Sequence, residues 1–252
     1  MVKYPRYIFR SELALQLIRD YVPKDSKFLE IGCADGELSS RIAKIGLTGD
    51  IFDISEESVK RAKDLIRERR VDKKLNVYNT DPLALKTTSR YGLVVMLEVL
   101  EHIKDDKAAL SKVNSFLKPG GFFLISVPAK GTFWGADDEL AGHFRRYDKE
   151  ELEHALEQSG FKILKIYSYG FPFLNILKLF REFMANRKPE GTIKESKQAR
   201  TKKSGLNLFR ISLLEQFPIL NRNTLFPFIK FSNLFNNYDL AEGYLCLAKR
   251  NE

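Results

Sequence analysis

The 252-residue chain reads as an α/β protein, a doubly wound and mostly parallel seven-stranded sheet. Three observations predict it. From Lys27 to Tyr167 short apolar runs alternate with amphipathic stretches of helical spacing, the rhythm of a parallel sheet covered by helices on both faces. The first apolar run ends in a turn of small residues that opens a helix. A hydrophobic fraction of 44% supplies a core of the required size.

The elements follow in order. Strands are expected near 27–32, 49–54, 74–78, 91–97, 122–127 and 162–167, and the late run Gly243 to Lys249, GYLCLAK, returns as a last strand. Helices are expected near 37–45, 56–70, 105–117 and 148–159. Ser55 followed by Glu56 and Glu57 is a helix start, with a hydroxyl cap and acids at the positive end of the helix dipole. Lys118-Pro119-Gly120-Gly121 reads as a stop before the strand FFLISV.

Residues 170–240 break the rhythm. They hold ten of the 19 phenylalanines, in helical-looking pieces such as FPFLNILKLFREFM and FPFIKFSNLF. Between these pieces, residues 186–205 are basic and almost without apolar side chains, so a mobile loop is expected there. The chain therefore divides into a core, 1–169, a helical aromatic-rich insertion, 170–240, and a last core strand within 241–252. The insertion has three readings: a lid over the substrate, a contact with a second copy of the chain, or a peripheral contact with an anionic membrane surface.

A net charge of +9 favours approach to nucleic acid, anionic lipid or a phosphorylated substrate, and suits equally a lysine-rich solvated surface. Two cysteines, Cys33 and Cys246, form neither a disulfide framework nor a metal set, which fits a reducing cytoplasm. The first residues lack the apolar core of a signal peptide, and no run reaches the roughly 18 apolar residues of a membrane span. The expected location is cytoplasmic, with peripheral attachment to the inner face of the membrane left open.

The stretch FLEIGCADGE, Phe28 to Glu37, carries the chemistry. A strand, tight turn and helix of this kind bring backbone N–H groups against a ligand, with glycines where a Cβ would block approach. A dinucleotide fingerprint wants three glycines. Counted from Gly32, this chain has Ala34 and Glu37 at the second and third places. Glu30 and Asp35 add negative charge that would repel a pyrophosphate and suits a cationic ligand bearing an ammonium and a sulfonium. S-adenosylmethionine fits better than NAD.

With these residues in order, the chain resembles a class I S-adenosylmethionine-dependent methyltransferase with a Rossmann-like sheet, over roughly Lys27 to Tyr167 plus the last strand. The family's acid-x-Gly-x-Gly-x-Gly turn stands as Glu30, Gly32, Ala34 and Gly36, with Cys33 and Asp35 between them. Ala34 is tolerable at the middle glycine if its backbone stays at negative φ. The resemblance implies that Asp53 accepts from the ribose diol while Ile54 packs on adenine. Capping of the next helix is the alternative for Asp53. It implies an adenine contact for Asp81 and Pro82, which otherwise form an ordinary Asp-Pro turn. Leu97 and Glu98 fall where the fourth strand faces the sulfonium, and Glu101 and His102 follow. Gly92 replaces the acid that many relatives carry early in this strand.

Gly142-His143, then Glu150-Glu151-Leu152 and Ser159-Gly160-Phe161, resemble small-molecule O-methyltransferases of the ubiquinone-biosynthesis type. His143 and His102 are the candidate bases for removing a proton from a hydroxyl acceptor. Arg145, Arg146 and Tyr147 are the candidate substrate contacts. Asp137, Asp138 and Glu139 are consecutive and cannot all point at one ion, so no metal is expected. The leading function is methylation of a small molecule, on oxygen of a sugar, quinone precursor or lipid-linked acceptor. RNA methylation is the runner-up. The Asn/Asp-Pro-Pro-aromatic tetrad of base aminomethylases is replaced by Leu97-Glu98-Val99-Leu100, which argues against amino-group targets but not against ribose or carbon targets, and nucleic acid is not the expected partner. A non-catalytic S-adenosylmethionine-binding module is the third reading.

Overall fold

The computed structural model describes residues 4–85, 90–185 and 221–251. Its seven strands are β1 (Lys27–Ile31), β2 (Thr48–Asp53), β3 (Leu75–Asn79), β4 (Tyr91–Leu97), β5 (Leu117–Pro128), β6 (Phe161–Ser168) and β7 (Gly243–Arg250). They form one sheet in the order β3-β2-β1-β4-β5-β7-β6. The pairings from β3 to β5 are parallel, and β7 runs antiparallel to both β5 and β6. The doubly wound sheet expected from the sequence is therefore the architecture observed. Between β1 and β4 the winding reverses direction, and the crevice outside the strand tips at such a switch point is where open α/β sheets bind ligands.

Helices cover both faces. Helices α1 (Pro5–Tyr21), α2 (Glu37–Lys44) and α3 (Glu56–Glu68) bury Leu13, Ile18, Ile42 and Ile66 against one face. On the other face α4 (Asp106–Phe116) and α6 (Lys149–Gln158) bury Leu110, Val113, Leu152 and Leu156. The central strand β4 is apolar almost throughout because both its faces are covered. Ser55 does cap α3, its side chain accepting from the Ser58 N–H. A short helix α5 (Ala136–Ala141) lies between β5 and α6.

Two features depart from the sequence reading. Helix α1 was not anticipated, although Pro5 opens it and its buried positions Ile8, Phe9, Leu13, Leu17 and Ile18 follow a 3.6-residue period. The stop at Lys118 to Gly121 falls inside β5: Tyr91 pairs with Leu117 and Leu93 with Phe122, so the sheet absorbs the turn as an irregularity in register.

The insertion is helical where its aromatic pieces predicted it, in α7 (Phe173–Ala185) and α8 (Arg222–Asn233). Phe173 of α7 stacks on Phe9 of α1 at 5.6 Å and lies 5.0 Å from Phe228 of α8. Leu225 and Ile229 of α8 complete the core on the α1 side. The basic loop expected at 186–205 lies outside the described residues. No described helix is long and apolar enough to cross a membrane.

Candidate active site at the strand tips

The turn after β1 is shaped by three left-handed residues, Gly32 (φ +78°), Ala34 (φ +48°) and Gly36 (φ +71°). At Gly32 a Cβ would stand 2.5 Å from a Val99 methyl carbon, so only glycine fits. Ala34 does not keep the negative φ expected of it. Its left-handed backbone costs on the order of 1–2 kcal/mol, and it turns the Ala34 N–H onto Asp53 Oδ2 at 2.9 Å. The other carboxylate oxygen of Asp53 accepts from the Ser55 N–H at 2.8 Å. Each oxygen has a second lone pair, so Asp53 is fixed by backbone and retains acceptor capacity for a diol. Beside it Ile54 is exposed, as a surface for a flat ring requires.

Acids line this turn. Glu30 is buried beneath it and accepts from the Ser39 hydroxyl. Burial, opposed by that hydrogen bond and reinforced by Glu37 and Asp35, pushes its carboxyl up to about 8. Asp35 is also nearly buried. Cys33 is buried in the turn with its thiol pushed well up by burial and then by Glu30, which leaves it inert. Asp81 accepts from the Leu83 N–H through Oδ1 at 2.9 Å, so the Asp-Pro turn exists, with Pro82 buried in it.

After β4, Leu97 is buried and Glu98 takes φ +55°. Sequence reasoning placed Glu98 toward a sulfonium. In the structure its carboxylate is tied to α1: it lies 2.9 Å from Arg6 and 3.4 Å from Arg10 and accepts from the Ser126 hydroxyl at 2.9 Å. Burial alone would raise this carboxyl, but the two guanidinium groups outweigh it and hold it down to about 2. Arg10 Nε is buried without a hydrogen-bond partner, so one donor is left over for an anionic group. The available signal was the spacing of Arg6 and Arg10, one helical turn apart.

Glu101, His102 and His143 meet beyond this turn. His143 Nδ1 lies 2.7 Å from Asp138 Oδ1, and its Nε2 lies 3.9 Å from Glu101. Asp138 also receives Arg146 Nε at 2.9 Å. Burial would raise the Asp138 carboxyl, but the His143 and Arg146 contacts hold it well below the usual range. An ionised carboxylate only accepts, so Nδ1 of His143 carries a proton, and in the neutral ring the lone pair is on Nε2. Burial and then the neighbouring His143 lower His102 to about 3, which makes it a neutral imidazole at pH 7. Glu101 is wholly buried with both carboxyl oxygens unpartnered, and burial followed by the charge of Glu98 drives its carboxyl well up.

The donor atoms of Glu101, His102 and His143 lie within 4.8 Å of one another, a set that could hold a cation. Nothing in the spacing of 101, 102 and 143 along the sequence announces this meeting. The expected substrate contacts are placed differently. Arg146 is buried and also donates to the Ala129 carbonyl, while Tyr147 is buried with its hydroxyl on Asp106 at 3.0 Å. Arg145 is paired with Asp106 at 2.6 Å. These three side chains are turned to protein partners and hold the loop that presents His143. Trp134 and Phe144, both partly exposed, flank that loop.

A family model described as a methyltransferase domain matches residues 5–166. The chain belongs to this methyltransferase-domain family. The match begins at the first residue of α1, so the helix that supplies Arg6 and Arg10 is part of the domain. Among curated relatives, the ubiquinone biosynthesis O-methyltransferase of Xanthomonas axonopodis pv. citri is 32% identical over 105 residues, covering 42% of this chain and 44% of that protein. The chain thus aligns with less than half the length of the curated relatives it matches.

Solved structures share the fold. N-methyltransferase NodS from Bradyrhizobium japonicum WM9 in complex with S-adenosyl-L-homocysteine superposes with a TM-score of 0.52 at 22% identity, covering 64% of this chain and 78% of that one. The (4+2)-cyclase SpnF superposes with a TM-score of 0.60 at 16% identity, over 96% of this chain and 80% of that one. Structural likeness at these identities establishes the sheet and its connections, whereas activity depends on the residues at the strand tips.

Proposed function

We propose that the protein is an S-adenosylmethionine-dependent methyltransferase that methylates a hydroxyl of a small-molecule acceptor, with His143 as general base. The observation that carries the oxygen target is the Asp138–His143 pair, which fixes the tautomer of the neutral imidazole so that Nε2 is its basic nitrogen. The O-methyltransferase relatives support the same target, and their name makes a quinone precursor the first acceptor to try; a sugar or lipid-linked hydroxyl comes next.

The residues at the turn suit the cofactor. Asp53 would accept from the ribose hydroxyls, Ile54 would pack on the adenine, and a ligand with cationic centres would favour ionisation of the Glu30 carboxyl beneath the turn, which is pushed up to about 8 without one. The leftover donor on Arg10 suits the carboxylate of the amino-acid tail. When bound, the sulfonium supplies an already activated methyl group, so the protein contributes chiefly positioning and exclusion of water. Nε2 of His143 takes the acceptor's hydroxyl proton, and Asp138 stabilises the imidazolium that results. Arg146 keeps Asp138 ionised and in place.

Titration calorimetry tests the cofactor, and incubation with labelled methyl donor and phenolic quinone precursors tests the transfer. Wild-type protein is expected to bind S-adenosylmethionine and Asp53→Ala to lose that binding. His143→Ala is expected to bind the donor normally while transfer falls by about 10²–10⁴-fold. Absence of donor binding by the wild type refutes the reading.

A further inference from the structure

We propose that α8, with the exposed part of α7, docks this protein on an anionic lipid bilayer. Helix α8 buries Leu225, Ile229 and Ser232, the stripe that packs on the core. The rest of its surface should be polar in a helix lying on a soluble protein, yet it exposes Phe226, Phe228 and Phe231, and Leu234 follows at the helix end. Phe231 is 52% exposed and Leu234 70%. The one charge among them is Lys230, whose ammonium sits 4.9 Å from the centre of the Phe226 ring. Alongside, α7 exposes Ile176 and Leu179, and the contact between Phe173 and Phe228 holds the two helices together. Several large apolar side chains exposed on two neighbouring helices mark an interaction site.

Charge selects the occupant. Residues 170–179 and 221–238 contain no aspartate or glutamate. The sequence joining the two helices, 186–220, carries eight lysines and arginines against three glutamates, a surplus of five out of the chain's net nine. Aromatic and aliphatic side chains in a stretch whose lysines and arginines outnumber its acids are the composition of a segment lying in the interface of an anionic membrane. A second copy fits poorly: a two-fold contact would set this face on itself, with Lys230 meeting no acid.

The proposal goes beyond the methyltransferase reading and is tested without methyl donor, so either can fail alone. The intact protein is sedimented with phosphatidylcholine vesicles that contain none or about 30 mol% phosphatidylglycerol, at about 0.15 M salt. Wild type is expected in the pellet with anionic vesicles and in the supernatant with neutral ones. The double variant Phe231→Ser/Leu234→Ser should bind at least about tenfold more weakly through loss of apolar insertion, and Lys230→Glu about fivefold more weakly. Both variants alter exposed side chains, and unchanged circular-dichroism melts would show that the fold is retained. The proposal is overturned by wild type remaining in the supernatant with anionic vesicles, by equal binding to both vesicle types, or by undiminished binding of the double variant. A wild-type dimer in light scattering that the double variant converts to monomer overturns it equally, since the face would then belong to a second copy.

Discussion

Replacing Glu30 by glutamine tests the electrostatics of the turn directly. The Glu30 carboxyl is buried, accepts from the Ser39 hydroxyl, and is pushed up to about 8. Between the ordinary carboxylate value and that figure the folded chain holds a proton that the unfolded chain has released. Stability therefore falls as pH rises through this window and is level on either side of it. The gap from 4.5 to about 8, at about 1.4 kcal/mol per pH unit, bounds the loss at about 5 kcal/mol. Relaxation around a buried acid makes about 2–4 kcal/mol the expected value. Glutamine keeps the shape and an acceptor for Ser39 without a titrating proton. Urea unfolding at pH 5, 6.5 and 8 should give nearly equal stabilities at pH 5, and a variant increasingly more stable than wild type toward pH 8. A difference between the two proteins that does not change across that range would show that Glu30 ionises normally, and the account of the acid-lined turn would be wrong.

Two further outcomes follow from the site. Glu98→Ala leaves the largely but not fully buried Arg6 and Arg10 without this counter-charge and should cost up to about 3–5 kcal/mol; an unchanged urea midpoint would show that α1 is not anchored there. Asp138→Asn keeps the shape but lets an amide N–H face Nδ1, which favours the tautomer protonated on Nε2. Turnover should fall by about 10²–10⁴-fold with donor binding intact, measured by product S-adenosylhomocysteine and by calorimetry. Unimpaired turnover would remove His143 from the role of base.

Local pattern made the sheet readable. Runs such as Tyr91 to Leu97, which the sequence places at the residues where β4 is found, are apolar because both faces are covered, and the helices between them carry their own caps, as Ser55 shows. The glycine turn was readable for the same reason: Gly32 and Gly36 meet steric demands within a few residues of chain. Helix α1 is written locally as well, in Pro5 and its apolar spacing.

The chain by itself determined the order of strands and helices, the acid-lined turn and the two aromatic helices, since each is written in the spacing of neighbouring residues. Tertiary structure alone decided that Glu98 serves Arg6 and Arg10, that Arg146 and Tyr147 turn inward, and that Asp138, Glu101 and His102 converge on His143. The physical reason is that an ion pair between residues 92 positions apart, as between Arg6 and Glu98, exists only once the sheet has brought the strand tips together.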